Sequence, residues 1–121
     1  MKLNLETRNL SDVIILHCEG RLVYRDEAAA LSRLAGELLH PGCKLVLDLS
    51  GIRLMDSAGI GDLALLQSLA LERNAILKCA GANDLVQNLL SLTNLDTVLD
   101  LHPTVDAAME SLYEDKVLAD C

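Results

Sequence analysis

A chain of 121 residues is the size of one ordinary domain, long enough to bury a core without metal or disulfide staples. Its formal charge of −8 repels a phosphate backbone, and with two Tyr and no Phe or Trp it lacks base-stacking platforms, so nucleic acid is excluded as a partner. Hydrophobic residues make up 51%, which predicts a core of Leu, Val, Ile and Ala, yet no apolar run approaches the ~20 residues of a membrane span.

Along the chain, Leu3 and Leu5 alternate with polar residues, and Asn9 to Asp12 supplies a turn. The β-branched run Val13 to Cys18 completes an N-terminal hairpin. Glu19 to Asp26 reads as a loop, after which Asp26 caps a helix through Ala28 to Leu39, with Leu31, Leu34, Ala35, Leu38 and Leu39 at helical spacing. His40-Pro41-Gly42 stops it. Lys44 to Leu49 is apolar on both faces, the pattern of a strand in the middle of a sheet. A turn at Ser50-Gly51 and the segment Ile52 to Asp56 follow, then Ser57 heads an apolar helix that ends near Glu72-Arg73-Asn74.

Ala75 to Cys79 is the next strand, closed by Ala80-Gly81-Ala82. Asn83 or Asp84 caps a short helix through Val86, Leu89 and Leu90, and a last short strand falls around Val98-Leu99. Pro103-Thr104 opens a terminal helix with Val105, Ala108, Met109 and Leu112 on one face; the acidic tail from Tyr113 to Cys121 is expected to fray. The order ββαβαβαβα predicts an α/β layer fold with a mostly parallel sheet of four to five strands, an N-terminal hairpin and about four helices. It is one domain over residues 1–121, with no linker or repeat.

Cys18, Cys43, Cys79 and Cys121 form no C-x-x-C pair and have no histidine at ligand spacing. They read as reduced thiols, with no metal and no cofactor. Met1 to Glu6 meets its first acid too early for a signal peptide, so the protein is expected in the cytoplasm, without membrane insertion.

Ser57 is the residue with the most chemistry around it. It stands between a strand and a helix, with Gly59 and Gly61 behind it, and each glycine weakens a helix by roughly 1 kcal/mol relative to alanine. Four readings compete. Helix capping by Asp56 or Ser57 leaves both glycines unexplained. A nucleophile elbow needs Gly two residues before the serine, where Met55 stands, and His17, His40 and His102 give no sign of a partnered base. A phosphate-binding turn lacks the glycine-rich signature and its lysine, and Asp56 and Asp62 flank the spot. A phosphorylation switch accounts for the most residues: the helix start tolerates the dianion, while a partner resting on the small residues Ala58, Gly59 and Gly61 meets it beside Asp56. No enzyme is expected.

The stretch from Val46 to Gly61, with Asp56-Ser57-Ala58-Gly59-Ile60-Gly61 at its centre, resembles the signature of STAS domains, the anti-sigma factor antagonist family. The resemblance covers nearly the whole chain, including Glu19-Gly20-Arg21-Leu22 and Ile76 to Cys79. It implies the STAS fold and a serine, here Ser57, that is phosphorylated by an anti-sigma factor serine kinase of the GHKL ATPase fold and restored by a PP2C-type phosphatase. The bare form binds the anti-sigma factor and frees the sigma factor, which makes the chain a regulator of transcription. The implied partner-binding residues are Asp56, Ser57, Ala58, Gly59, Ile60 and Gly61. Arg21, Val23, Tyr24 and Arg25 join them from the preceding loop, where the sequence departs from the Asp that family members often carry. Tyr24 is either an interface anchor or a ring packed on the following helix. The other role that the resemblance implies is a permanent subunit of a stress-signalling assembly or lipid-transport ABC complex, with no switch. Homodimerisation is left open.

Overall fold

The computed structural model describes residues 3–23 and 26–120, with the backbone alone at 26–28 and 114–120. Strands β1 (Asn4–Leu10) and β2 (Val13–Leu22) form the antiparallel hairpin, turned at Ser11 and Asp12. Helix α1 (Asp26–Leu38), β3 (Lys44–Met55), α2 (Ser57–Glu72), β4 (Ile76–Ala80), α3 (Asp84–Leu92), β5 (Leu101–His102) and α4 (Val105–Asp120) follow. The five strands lie in the order β1-β2-β3-β4-β5, and every pairing after the hairpin is parallel.

The alternation of strand side chains divides the core in two. Leu16, Cys18, Leu45, Leu47, Leu49, Leu77 and Cys79 point to the face covered by α1, α2 and α3, where they meet Leu31, Ala35, Leu63, Leu66, Val86 and Leu90. Val13, Ile15, Val46 and Ala80 point to the other face and meet Ala108, Met109 and Leu112 of α4. The helical face expected for the terminal helix is the one it buries.

Three local expectations are corrected. The predicted loop Glu19 to Asp26 is strand as far as Leu22, and the predicted turn Ser50-Gly51 lies inside β3. The two segments hold each other in the sheet: Glu19 pairs with Gly51, Gly20 with Ile52, Arg21 with Leu54 and Leu22 with Met55, across irregularities at His17/Glu19 and Gly20/Arg21. Gly51 is needed for close approach there, since a Cβ would come within 2.8 Å of the Cys18 carbonyl oxygen. The last strand is Leu101–His102 rather than Val98-Leu99, because Leu95–Thr97 winds into a 3₁₀ turn and Leu99 packs into the core from it. The capping side chain assigned to Asp26 lies outside the described residues.

Among the described residues one charged side chain is buried, on the α4 face. Lys78 is 3% exposed, and its Nζ donates to Asp100 Oδ2 at 2.7 Å and to Ser111 Oγ at 2.9 Å, joining β4, the entry to β5 and α4. Removing the carboxylate takes a counter-charge away from a cation held in the core. Asp100→Ala is therefore expected to cost about 2–3 kcal/mol, less than a fully buried pair because Asp100 is half-exposed. Lys78→Met should cost less than that; urea denaturation of the two variants checks the order.

Cys18 and Cys79 are buried free thiols, as expected from their place at strand ends, and burial pushes both up to about 12. They are inert packing groups.

Candidate functional site

At the end of β3 the chain turns into α2 in a single extended residue, Asp56 (φ −113°, ψ −173°). Its Oδ1 accepts from the amides of Ala58 at 3.0 Å and Gly59 at 3.1 Å, and its own amide donates to the Leu22 carbonyl at 3.3 Å. Asp56 is thus the helix cap, and Ser57 is the first residue of the helix proper. Of the two capping residues that the sequence offers, the structure uses one. The Ser57 side chain is exposed, and its hydroxyl makes no hydrogen bond among the described residues. Asp56→Ala is expected to cost ~1 kcal/mol of stability by uncapping α2, whereas Ser57→Ala should be neutral within about 0.5 kcal/mol; thermal melts of both variants check this.

The two glycines behind Ser57 separate. Gly59 is buried: a Cβ there would collide with the carbonyl oxygen of Leu22 and lie 2.9 Å from Met55 Cγ. The fold itself demands this glycine, because the first turn of α2 rests directly on the end of β2. Gly61 is exposed with nothing within 4 Å of where a Cβ would stand, so the fold makes no demand on it. Ile60 is 8% exposed and belongs to the core. The accessible platform is therefore Ser57 and Gly61, with Ala58 half-buried beside them.

Asp62, the next residue, is half-exposed, but its Oδ2 is buried without a hydrogen-bond partner among the described residues, and burial pushes its carboxyl above the usual range. Arg21 stands half-buried in β2 opposite Leu54, and its Nε has no hydrogen-bond partner among the described residues. Val23 is half-buried just past β2. Tyr24 and Arg25, the other two partner-binding residues inferred from the resemblance, lie outside the described residues.

Two groups of polar residues escape a reading based on motifs. On the α4 side of the sheet, His17 Nδ1 lies 2.8 Å from Asp48 Oδ2 in a cavity of about 330 Å³ that Glu6 and Arg8 also line. Burial raises the Asp48 carboxyl, but hydrogen bonds from Ser50 and His17 outweigh it and hold the group below its ordinary value. The signal was the lone acid in an apolar strand, which pairs with a histidine once β2 and β3 are set in register. A larger cavity of about 460 Å³ lies between α3 and β5, lined by Gln87, Asn88, Ser91, Asp96 and His102. There His102 Nε2 is 2.9 Å from Asp100 Oδ1 without the alignment of a hydrogen bond. Among the described residues no three His, Cys, Asp or Glu side chains are grouped to hold a metal, and no helix is long and apolar enough to cross a membrane.

The architecture is shared with several solved structures. A protein of Thermotoga maritima assigned as an anti-sigma factor antagonist superposes with a TM-score of 0.78 at 23% identity, over 88% of this chain and 92% of its own. An anti-sigma factor antagonist from Mycobacterium paratuberculosis gives 0.77 at 22% identity, over 91% and 93%. The murine anion transporter Solute Carrier 26 family member A9 gives 0.63 at 21% identity; the likeness covers 84% of this chain but 18% of the transporter, so the shared unit is one part of a larger protein. At these identities the likenesses establish the fold. No curated protein matches the chain. The family model described as Mlab, STAS domain matches residues 6–103, most of the chain and all of the sheet core, and it includes the β3–α2 junction. The protein belongs to the STAS domain family.

Proposed function

We propose that this STAS domain is an anti-sigma factor antagonist whose binding to an anti-sigma factor is switched by phosphorylation of Ser57. The observation that carries the reading is the division of labour at the start of α2: Asp56 caps the helix, which leaves an exposed serine hydroxyl that makes no hydrogen bond among the described residues. The likeness to antagonists from Thermotoga and Mycobacterium supports it. The partner would be an anti-sigma factor that is also a serine kinase of the GHKL ATPase fold, with a PP2C-type phosphatase returning the bare form. The protein itself is a substrate rather than an enzyme, and it works in the cytoplasm.

The physics is asymmetric. A phosphoryl group adds about −1.5 to −2 charges and three acceptor oxygens. At a helix N-terminus the macrodipole favours it by some tenths of a kcal/mol, so folding is nearly untouched. In a docked interface the same group is a buried charge next to Asp56, without a partner. Affinity capture from the host cell tests this: wild type and Ser57→Ala are expected to retain a GHKL-type ATPase, and Ser57→Asp to lose it. An ATPase held equally by Ser57→Asp would contradict the switch.

The transporter neighbours favour a second reading, since a STAS fold stands within the murine anion transporter and in a sulfate transporter family protein from Wolinella succinogenes. In it the chain is a permanent structural subunit, of a lipid-transport ABC complex or a stress-signalling assembly, and Ser57 stays unmodified. Ser57→Ala would be silent here too, so the modification state of the native protein separates the two.

A further inference from the structure

The sheet is protected at one edge and open at the other. β5 is two residues long and runs into Pro103, which has no amide to donate. β1 is seven residues long, six of them exposed, and it contains no Pro, Gly or Lys. Its register against β2 runs from Asn4 opposite Glu19 to Leu10 opposite Val13 without a bulge to turn it away from an approaching strand. β1 pairs with β2 on one side only, and alternate residues direct their N–H and C=O to the other side. Among the described residues no other backbone group bonds to that outer row. An edge left in this state is a template for a further strand.

The side chains select which strand. With a net charge of −8, two copies of the chain repel at long range, so self-association needs a surface that is locally neutral and matches itself. β1 is such a surface: Glu6 and Arg8 flank Thr7, and its other residues are uncharged. Strand alternation puts Glu6 and Arg8 on one face of the sheet, where both line the cavity of His17 and Asp48. Neither enters an ion pair among the described residues. When a second β1 lies antiparallel beside the first with Thr7 facing Thr7, Glu6 of each strand faces Arg8 of the other. Two opposite-charge cross-strand pairs result, related by a two-fold axis, with Leu5 facing Asn9 at the flanks. This register matches residues of like parity, so backbone groups turned outward in one strand meet those turned outward in the other. Moving the axis to Glu6 or to Arg8 keeps the parity but sets like charges against each other.

We infer that the outer edge of β1 pairs with β1 of a second copy, antiparallel and centred on Thr7, joining the two sheets into one. The pairing uses none of the residues at the start of α2, so it goes beyond the Ser57 reading and holds whether or not Ser57 is modified. One strand pair is a small interface, so the dimer is reversible and depends on concentration.

Sedimentation velocity of the purified protein over a concentration series tests the pairing. The wild type is expected to pass from monomer to dimer as concentration rises. Glu6→Arg and Arg8→Glu are exposed substitutions whose folding circular dichroism checks, and each sets two like-charge pairs across the axis. Each should weaken the dimer about tenfold or more. Glu6→Arg also brings the net charge closer to zero, so general repulsion alone predicts the opposite sign for it. An equimolar mixture of the two variants sets opposite charges face to face again and should dimerise as strongly as wild type. A chain that stays monomeric up to its solubility limit would overturn the inference. So would a dimer that neither variant weakens, or a mixture that dimerises no better than the variants alone. Ser57→Asp should dimerise like wild type, so loss of the native partner in that variant concerns the switch and not the strand pairing.

Discussion

Gly59→Ala is expected to destabilise the protein by roughly 3 kcal/mol or more, and Gly61→Ala to stabilise it by up to about 1 kcal/mol, although the residues are two apart in one helix turn. At position 59 the added methyl collides with backbone, the carbonyl oxygen of Leu22, and presses on Met55 Cγ and Leu22 Cγ at 2.9 and 3.0 Å. Backbone cannot rotate out of the way as the tip of a side chain can. The first turn of α2 must lift off β2, and the hydrogen bond from the Asp56 amide to the Leu22 carbonyl goes with it. At position 61 the methyl enters open space, so what remains is the gain in helix propensity and the loss of unfolded-state freedom. Urea denaturation of both variants measures the difference. Two destabilised variants would mean that Gly61 also has a packing role.

The second large effect is on binding. Ser57→Asp, and more strongly phosphorylated Ser57, should leave the melting temperature within a few degrees of wild type yet weaken a docked partner by several kcal/mol. The first half follows from the exposed position at the helix start, where a negative charge is on the favourable side of the macrodipole. The second follows from desolvation: an interface that covers Ser57 must also cover the charge, and Asp56 gives it no counter-ion. Calorimetry of the pure variants against the captured partner reads both numbers. A melting temperature that falls in step with affinity would point instead to an unfolding of α2.

The architecture was legible in the sequence because hydrophobic periodicity changes cleanly between strands and helices. The α4 face, Val105, Ala108, Met109 and Leu112, packs as read, and the buried thiols Cys18 and Cys79 are where the strand ends placed them. What was not legible depended on partners distant in sequence. Glu19 to Leu22 reads alone as loop and Ser50-Gly51 as turn, and both are strand because Glu19 to Leu22 pairs with Gly51 to Met55. The apolar pair Val98-Leu99 has strand composition, but the left-handed Asn94 commits the segment to a turn.

The same limit applied at the site. Composition could not tell the glycine that the sheet requires from the one that it does not, since that distinction lies in the position of the Leu22 carbonyl. Nor could it choose between Asp56 and Ser57 as the cap. The residue choice at the junction was readable; the separation of structural from accessible groups needed coordinates.

Intact mass and phosphosite mapping of the protein isolated from its own cells, beside a Ser57→Ala control, test the central claim most directly. A population carrying one phosphate, localised to Ser57 and lost in the control and on phosphatase treatment, is the predicted result. A single unmodified mass under growth, starvation and stress, with a stoichiometric transport ATPase retained throughout, would contradict the switch and leave the permanent-subunit reading.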